Sequence, residues 1–315
     1  MRTFPVSQLF SFADVCGEEY LRAVFASYDG GLIVASSTTP LIPIERGYDV
    51  PPHVRANGDT FRIQHICGKT VQSVTISGVY SVCPDIQPLG PGKWFFVYGD
   101  TELGQNNAAV YDSQGNLLYT TFVGDGVKDV QTTANGSEIW ISYSDQGIFG
   151  SSGPPTSPSG AGIVCFGSDG QIRFRFDEKV VELGFAPPMD DCYVLNVCDN
   201  NNVYACYYGP FLLVLLQNRR FVRSWQARPA CAVAVTNRYA LFAPAYIPNP
   251  FFLLDLYDER PLEDVLLVTD NGTILQTGRY YTPPHRGVFG RDSRMYVRDE
   301  DALYCLDLAQ LPELA

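Results

Sequence analysis

Basic charge is scarce in this chain: among 315 residues, 22 Lys and Arg stand against 34 Asp and Glu, leaving a net charge of −12. Phosphate backbones and anionic lipid surfaces are held by Lys/Arg patches, so nucleic acid and membrane are excluded as partners. Long apolar runs are missing as well, and nothing approaches the roughly 18 consecutive apolar residues of a spanning helix. The opening segment is interrupted by Gln8, Asp14, Glu18 and Glu19 and has no small-residue cleavage site. It lacks the pattern of an export signal, which predicts a cytoplasmic protein. There are only three histidines. No Ser-His-Asp spacing, G-x-S-x-G elbow, H-E-x-x-H or C-x-x-C pair occurs, so no catalytic or metal motif announces itself. Nine cysteines are present, an odd number. Several lie in apolar runs such as Ile163-Val164-Cys165-Phe166, where cysteine behaves as a small hydrophobe. Without an export signal, a reducing compartment is expected.

What the chain has is apolar and aromatic content, 46% and 13%, ample for a buried core. It also has a recurring turn. Breaks fall at Cys67-Gly68-Lys69, Ser113–Asn116, Ser168-Asp169-Gly170, Gln217-Asn218-Arg219 and Thr269–Gly272, each flanked by short apolar runs. Measured from Gly68 through Gly115, Gly170, Arg219 and Gly272, the steps are 47, 55, 49 and 53 residues. Self-similarity at this period signals a propeller or solenoid, and strands joined by tight Gly/Asn/Asp turns favour the propeller.

The units follow a plan of four antiparallel strands, of which the second shows three, Trp94–Tyr98, Asn107–Asp112 and Leu117–Phe122. The third is clearest: Val127–Thr133, Glu138–Tyr143, Ile163–Phe166 and Gln171–Phe176. The last of these alternates, with Ile172, Phe174 and Phe176 on one side and Arg173 and Arg175 on the other. The fifth unit reads as Cys231–Val235, Tyr239–Ala243, Val265–Val268 and Thr273–Thr277, with residues 247–264 taken as an insertion; the alternative is that its Phe251-Phe252-Leu253-Leu254 run is itself a strand. The sixth offers only three strands, Val288–Arg291, Met295–Val297 and Ala302–Leu306. The N-terminal segment Thr3–Phe12 is free to supply the fourth, which would remove the exposed edges. The expectation is an all-β, six-bladed β-propeller closed by an N-terminal strand, with residues 1–315 forming a single domain.

The run Gly124-Asp125-Gly126-Val127-Lys128-Asp129-Val130, followed by Asn135-Gly136-Ser137-Glu138-Ile139-Trp140-Ile141, resembles the strand pair of gluconolactonase-like and NHL-like members of the six-bladed β-propeller superfamily. That resemblance implies the fold. It also implies a range of activities, from sugar lactonases, phosphotriesterase-like hydrolases and strictosidine-synthase-like enzymes to non-enzymatic binders. Hydrolase members hold an axial calcium through Glu, Asn and Asp from several blades; no full set of such ligands is matched here.

Function is expected on the rim built by the connections between second and third strands and between successive units. Acidic residues collect there: Asp100 and Glu102, Asp125 and Asp129, Asp145, and Asp190 and Asp191. Carboxylates converging from separate blades suit calcium, which takes six to eight oxygens; the alternative is that they end strands and cap turns. His53 and His285 each follow Pro-Pro in rim loops and precede Arg55 and Arg286, which makes them the general acid/base candidates together with Asp145. Tyr143, Tyr208 and Tyr246 end strands at the same rim and offer amphipathic contact area. The candidate ligand-binding set is therefore Tyr143, Gln146, Asp100, Asp125, Asp129, Asp191, Tyr208, Tyr246 and Arg286. The leading expectation is a cytoplasmic propeller that binds a protein or small-molecule ligand through long rim loops without catalysis. The alternative is a lactonase- or hydrolase-type enzyme using an axial metal or a rim His/Asp pair.

Overall fold

The computed structural model describes residues 1–44, 47–99, 105–150, 157–245, 250–258, 263–275 and 287–314. The chain opens with β1 (Arg2–Ser11) and a short helix α1 (Phe12–Cys16). Then come β2 (Tyr20–Ala26), β3 (Leu32–Ser37), a hairpin of β4 (Ile42–Ile44) and β5 (Gly47–Asp49), helix α2 (Pro52–Asn57), β6 (Asp59–Cys67) and β7 (Thr70–Val79). Strands β2-β3-β6-β7 make the first antiparallel sheet. The second consists of β8 (Asp85–Pro88), β9 (Lys93–Val97), β10 (Ala108–Asp112) and β11 (Leu117–Thr121). The third has β12 (Val127–Thr132) and β13 (Glu138–Tyr143), then helix α3 (Asp145–Phe149), β14 (Ile163–Gly167) and β15 (Ile172–Arg175). The fourth contains β16 (Asp191–Val197), β17 (Asn202–Tyr208), β18 (Leu212–Gln217) and β19 (Arg220–Gln226).

The remaining strands are β20 (Ala230–Val235), β21 (Tyr239–Pro244), β22 (Phe251–Asp255), β23 (Glu263–Thr269), the two-residue β24 (Ile274–Leu275), β25 (Val288–Arg291), β26 (Arg294–Arg298) and β27 (Ala302–Asp307). Strand β1 joins them into one continuous sheet, lying between β23 and β27. Its first half runs parallel to β23, from Arg2 opposite Val265 to Val6 opposite Thr269. Its second half runs antiparallel to β27, from Ser7 opposite Cys305 to Ser11 opposite Ala302. Phe4 and Val6 are buried in the core that it thereby enters.

The fifth unit corrects the sequence reading. Phe251–Asp255 is not insertion but the third strand, pairing with β21 from Tyr239 opposite Asp255 to Phe242 opposite Phe252. Val265–Val268 therefore belongs to the fourth strand, and the Asn271-Gly272 turn leads only to β24.

Burial follows strand position. The middle strands β13 and β14 are covered on both faces, buried from Ile139 to Tyr143 and from Ile163 to Gly167, whereas outer strand β15 exposes Ile172 and buries Phe174. The apolar clusters lie between successive sheets: Ile63 and Ile76 meet Ile86 and Phe96, Val97 and Val110 meet Val130 and Ile141, and Trp140 and Ile163 meet Leu195 and Ala205. Cys206 and Leu213 likewise meet Val233 and Phe242, and Leu241 and Leu253 meet Met295 and Val297. A last cluster brings Phe289 and Tyr296 back against Val24 and Leu32 of the first sheet. Each fully buried Leu, Val or Phe contributes about 1.5–3 kcal/mol, so these interfaces between sheets are where the fold's stability resides.

The innermost strands are also tied by polar side chains. Gln131 Nε2 donates to Leu195 O at 2.8 Å, while its Oε1 accepts from Val197 N at 2.8 Å and from Arg291 Nη1 at 2.8 Å. Asn196 Nδ2 donates to Val233 O at 2.8 Å, and Thr132 Oγ1 donates to Pro88 O at 2.7 Å. Among the described residues no helix is long and apolar enough to cross a membrane.

Candidate functional site

Four of the inner strands carry a β-bulge near their start. The pairing register skips Arg22 in β2, Lys128 in β12, Tyr193 in β16 and Cys231 in β20. An extra residue bends the strand and re-aims its side chain, a device common beside active sites. In the first sheet the bulge residue is consumed internally: Arg22 Nη2 meets Asp59 Oδ2 at 2.8 Å with both side chains buried. In the third and fourth sheets the two bulge residues meet each other, Lys128 Nζ lying 5.9 Å from the centre of the Tyr193 ring.

Around that pair the rim assembles. Tyr193 lies 6.1 Å from Tyr208 and 6.3 Å from Phe211, and Tyr208 and Phe211 meet edge-on at 5.3 Å, so three rings form one platform. Tyr208 is 45% exposed. Phe211 holds φ = 51°, an uncommon conformation for a bulky residue that costs about 1–3 kcal/mol. Its carbonyl is pinned by Ala227 N at 2.9 Å.

The acidic half of the site is set by a close approach of two backbones. Ser144 N donates to Gly126 O at 2.8 Å. A Cβ on Gly126 would lie 2.3 Å from Gly147 N, so only glycine lets the turn entering β12 rest on α3. Asp125, Asp145 and Gln146 are thereby gathered at the end of the third sheet. Asp145 Oδ1 accepts from Gln146 N at 2.8 Å. The Asp191 carboxyl is pushed up to about 6, chiefly by burial; Lys128 opposes the rise, the Asp145 charge adds to it, and the Asp145 backbone N–H opposes it. Asp191 Oδ1 is buried without a hydrogen-bond partner among the described residues.

Of the residues expected from sequence, Asp125, Asp145, Gln146, Asp191 and Tyr208 lie along this stretch of rim. Asp129 turns inward: its Oδ1 accepts from Val130 N at 2.8 Å and its Oδ2 from Gln131 Nε2 at 3.4 Å. Tyr143 lies fully buried beneath the rim, and its hydroxyl donates to Val123 O. His53 sits exposed on α2 in the first sheet's loop, its carbonyl accepting from Asn57 Nδ2 at 2.9 Å, away from the platform. Asp100, Tyr246, His285 and Arg286 lie outside the described residues. Sequence reasoning missed Lys128, Tyr193 and Phe211. The first two are marked only by bulges, which no spacing rule reveals, and Phe211 by its backbone conformation.

The described carboxylates do not fit a calcium ion. Asp129 spends its oxygens on neighbouring N–H groups, and Lys128 already faces Asp191. Among the described residues no three His, Cys, Asp or Glu side chains are grouped to hold a metal.

Four-stranded antiparallel sheets that follow one another in the chain and pack face to face are the build of a β-propeller. A family model described as the YxzG family matches residues 163–305, just under half of the chain. Solved structures similar to this chain include streptogramin B lyase, at 11% identity and a TM-score of 0.47, with 95% of this chain and 96% of that chain covered. The PQQ-bound form of aldose sugar dehydrogenase from Streptomyces coelicolor matches at 12% identity and a TM-score of 0.44, with 96% and 97% covered. The extracellular domain of a two-component system from B. thetaiotaomicron matches at 9% identity and a TM-score of 0.47, with 91% of this chain and 34% of that chain covered. No curated protein matches this sequence.

Proposed function

We propose that residues 1–315 form one six-bladed propeller, closed by β1, that binds a polar ligand at the rim between its third and fourth blades without transforming it. The six-blade reading is supported by contacts of β2 with β8, β8 with β12, β12 with β16, β16 with β20, β20 with β25 and β25 with β2. Closure by β1 is supported by its antiparallel pairing with β27 as a fourth strand. The cytoplasmic assignment is supported by nine cysteines that are all free.

The observation that carries the binding reading is the Tyr193–Tyr208–Phe211 platform beside Lys128, Asp145 and Asp191. Rings supply flat contact area at low entropic cost, while the flanking ammonium supplies donors and the carboxylates supply acceptors. That combination suits the hydroxyl edge of a sugar or the amides of a peptide. The test is a titration with neutral mono- and disaccharides and with tripeptides, read on the NMR resonances of the tyrosine rings. Shifts at Tyr193 and Tyr208 that vanish in Tyr208→Ala are expected. A panel member that binds Tyr208→Ala unchanged, or silence across the panel to about 10 mM, overturns the reading.

The hydrolase alternative has one observation in its favour, the Asp191 carboxyl at about 6 beside Asp145. A carboxyl poised there suits a general acid. Hydrolysis of simple lactones that is lost in Asp191→Asn would establish it.

A further inference from the structure

A second cleft opens on the opposite face, between the first and second sheets, with a volume of about 570 Å3. It is framed by the turns that follow β2, β6, β8 and β10, so it shares no residue with the rim site and does not depend on that reading. Its floor is the largely buried Trp94, which His65 meets edge-on at 6.3 Å and 88°. Lys93, Thr70, Ser73 and Ser113 line its walls.

Among the described lining residues the one carboxylate is Asp29, and its Oδ1 is already engaged. Asp29 Oδ1 accepts from Gly31 N at 3.0 Å and pairs with His65 Nε2 at 3.1 Å. Gly31 is what makes room for this arrangement, because a Cβ there would lie 2.8 Å from His65 Nε2 and 3.0 Å from Asp29 Oδ1. The imidazole is therefore held in one orientation, and Nδ1 has no partner among the described residues. The remaining polar groups of the described lining are the Lys93 ammonium, the four hydroxyls of Tyr28, Thr70, Ser73 and Ser113, the Cys67 thiol, the Trp94 indole N–H and the Gln72 amide. On a chain with net charge −12, a cleft whose described lining offers donors and a cation, with its carboxylate paired to His65, runs against the general field. Such contrast recruits anions.

We propose that this cleft is a binding site for a small organic anion, a carboxylate or phosphate ester carrying an aromatic ring. The anionic group meets Lys93 and the hydroxyls, with His65 oriented beside it by Asp29, and the ring packs over Trp94.

The test uses the full chain with benzoate, phenyl phosphate, inorganic phosphate and phenol as probes, read on the His65 imidazole and Trp94 indole NMR resonances. Benzoate or phenyl phosphate is expected to shift both residues with submillimolar to millimolar affinity, and phenol not to. Exposed Lys93 replaced in Lys93→Gln is expected to weaken binding about tenfold, the loss of one charge-assisted hydrogen bond, with the melting temperature unchanged. His65→Gln is expected to weaken it less. Phenol binding as well as the anions overturns the anion assignment, and inorganic phosphate binding as tightly as phenyl phosphate overturns the aromatic part. Silence of both aromatic anions to about 10 mM overturns the site. Because Tyr208→Ala leaves this cleft untouched, failure here and failure of the rim reading are told apart.

Discussion

Lys128 and Tyr193 lie 5.9 Å apart across the boundary between the third and fourth sheets, and each is the extra residue of a bulge in its own inner strand. The same irregularity recurs at Arg22 and Cys231, so it belongs to the repeat; only the chemistry of the residue placed there differs. Arg22 is drawn into a buried ion pair with Asp59. Cys231 directs its thiol to Ala243 O and Pro244 O at 3.7 and 3.5 Å. Lys128 and Tyr193 face each other at the rim. A structural repeat thus brings a cation and a ring together where two successive bulges meet.

Burial raises the Asp191 carboxyl, and Lys128 opposes the rise, so that the carboxyl stands at about 6 with the ammonium in place. Replacing it in Lys128→Met removes the only lowering charge and is expected to move the Asp191 titration above 6, by several tenths of a unit to about one unit given partial solvent screening. A carboxyl-carbon NMR titration reads this directly. An unmoved midpoint would show that the two charges do not feel one another.

Gln131 and Arg291 join inner strands 160 positions apart in sequence. Arg291 is buried, and burial lowers its guanidinium to about 10. Arg291→Met is expected to cost about 2–3 kcal/mol, because Thr132 O loses its donor and Gln131 Oε1 keeps only Val197 N. Chemical denaturation measures the loss. A neutral or stabilised variant would mean that apolar packing replaces the network without penalty, as happens for some buried ionic groups.

β1 provides a contrast of magnitudes within one strand. Phe4 is 1% exposed, packed among Val265, Leu267 and Val288, and Phe4→Ala is expected to cost about 3–5 kcal/mol. Arg2 pairs with Glu263 at 3.1 Å with both side chains more than 40% exposed, and Arg2→Ala is expected to cost less than about 1 kcal/mol. Equal losses in denaturant titrations would show that β1 is held by its backbone ladder and not by core insertion.

Much of the scaffold was legible because alternation and turn chemistry agree. The strands of the third and fourth sheets, and the free N-terminal segment that became β1, follow from apolar runs bounded by Gly, Asn and Asp. The fifth unit was misread because Asn271-Gly272 is a strong hairpin signal, yet it serves the minor β24, while Phe251–Asp255 looks like a hydrophobic insertion until paired with β21. β8 was missed because four residues ending in Pro88 carry too little pattern. Along the candidate rim, Asp125, Asp145, Asp191 and Tyr208 are residues that the sequence marks by their position at strand ends. Lys128 and Tyr193 were not, since a bulge is a property of pairing between strands.

The Asp191 carboxyl gives the fold a pH dependence of definite sign. Below about pH 4 it is protonated in both folded and unfolded chains. From the ordinary carboxyl value of 3.8 up to about 6 the unfolded chain releases the proton that the folded chain keeps, so stability falls as pH rises through that window. Above it, the buried carboxylate imposes its full penalty. Asp191→Asn removes the ionisable group while preserving its shape. Its melting temperature is therefore expected to exceed that of the native chain at about pH 7.5, with the difference shrinking toward zero or reversing at about pH 4. Thermal unfolding at the two pH values measures this. A difference that is the same at both would mean that the amide acts through packing alone and that the carboxyl carries no buried charge at neutral pH.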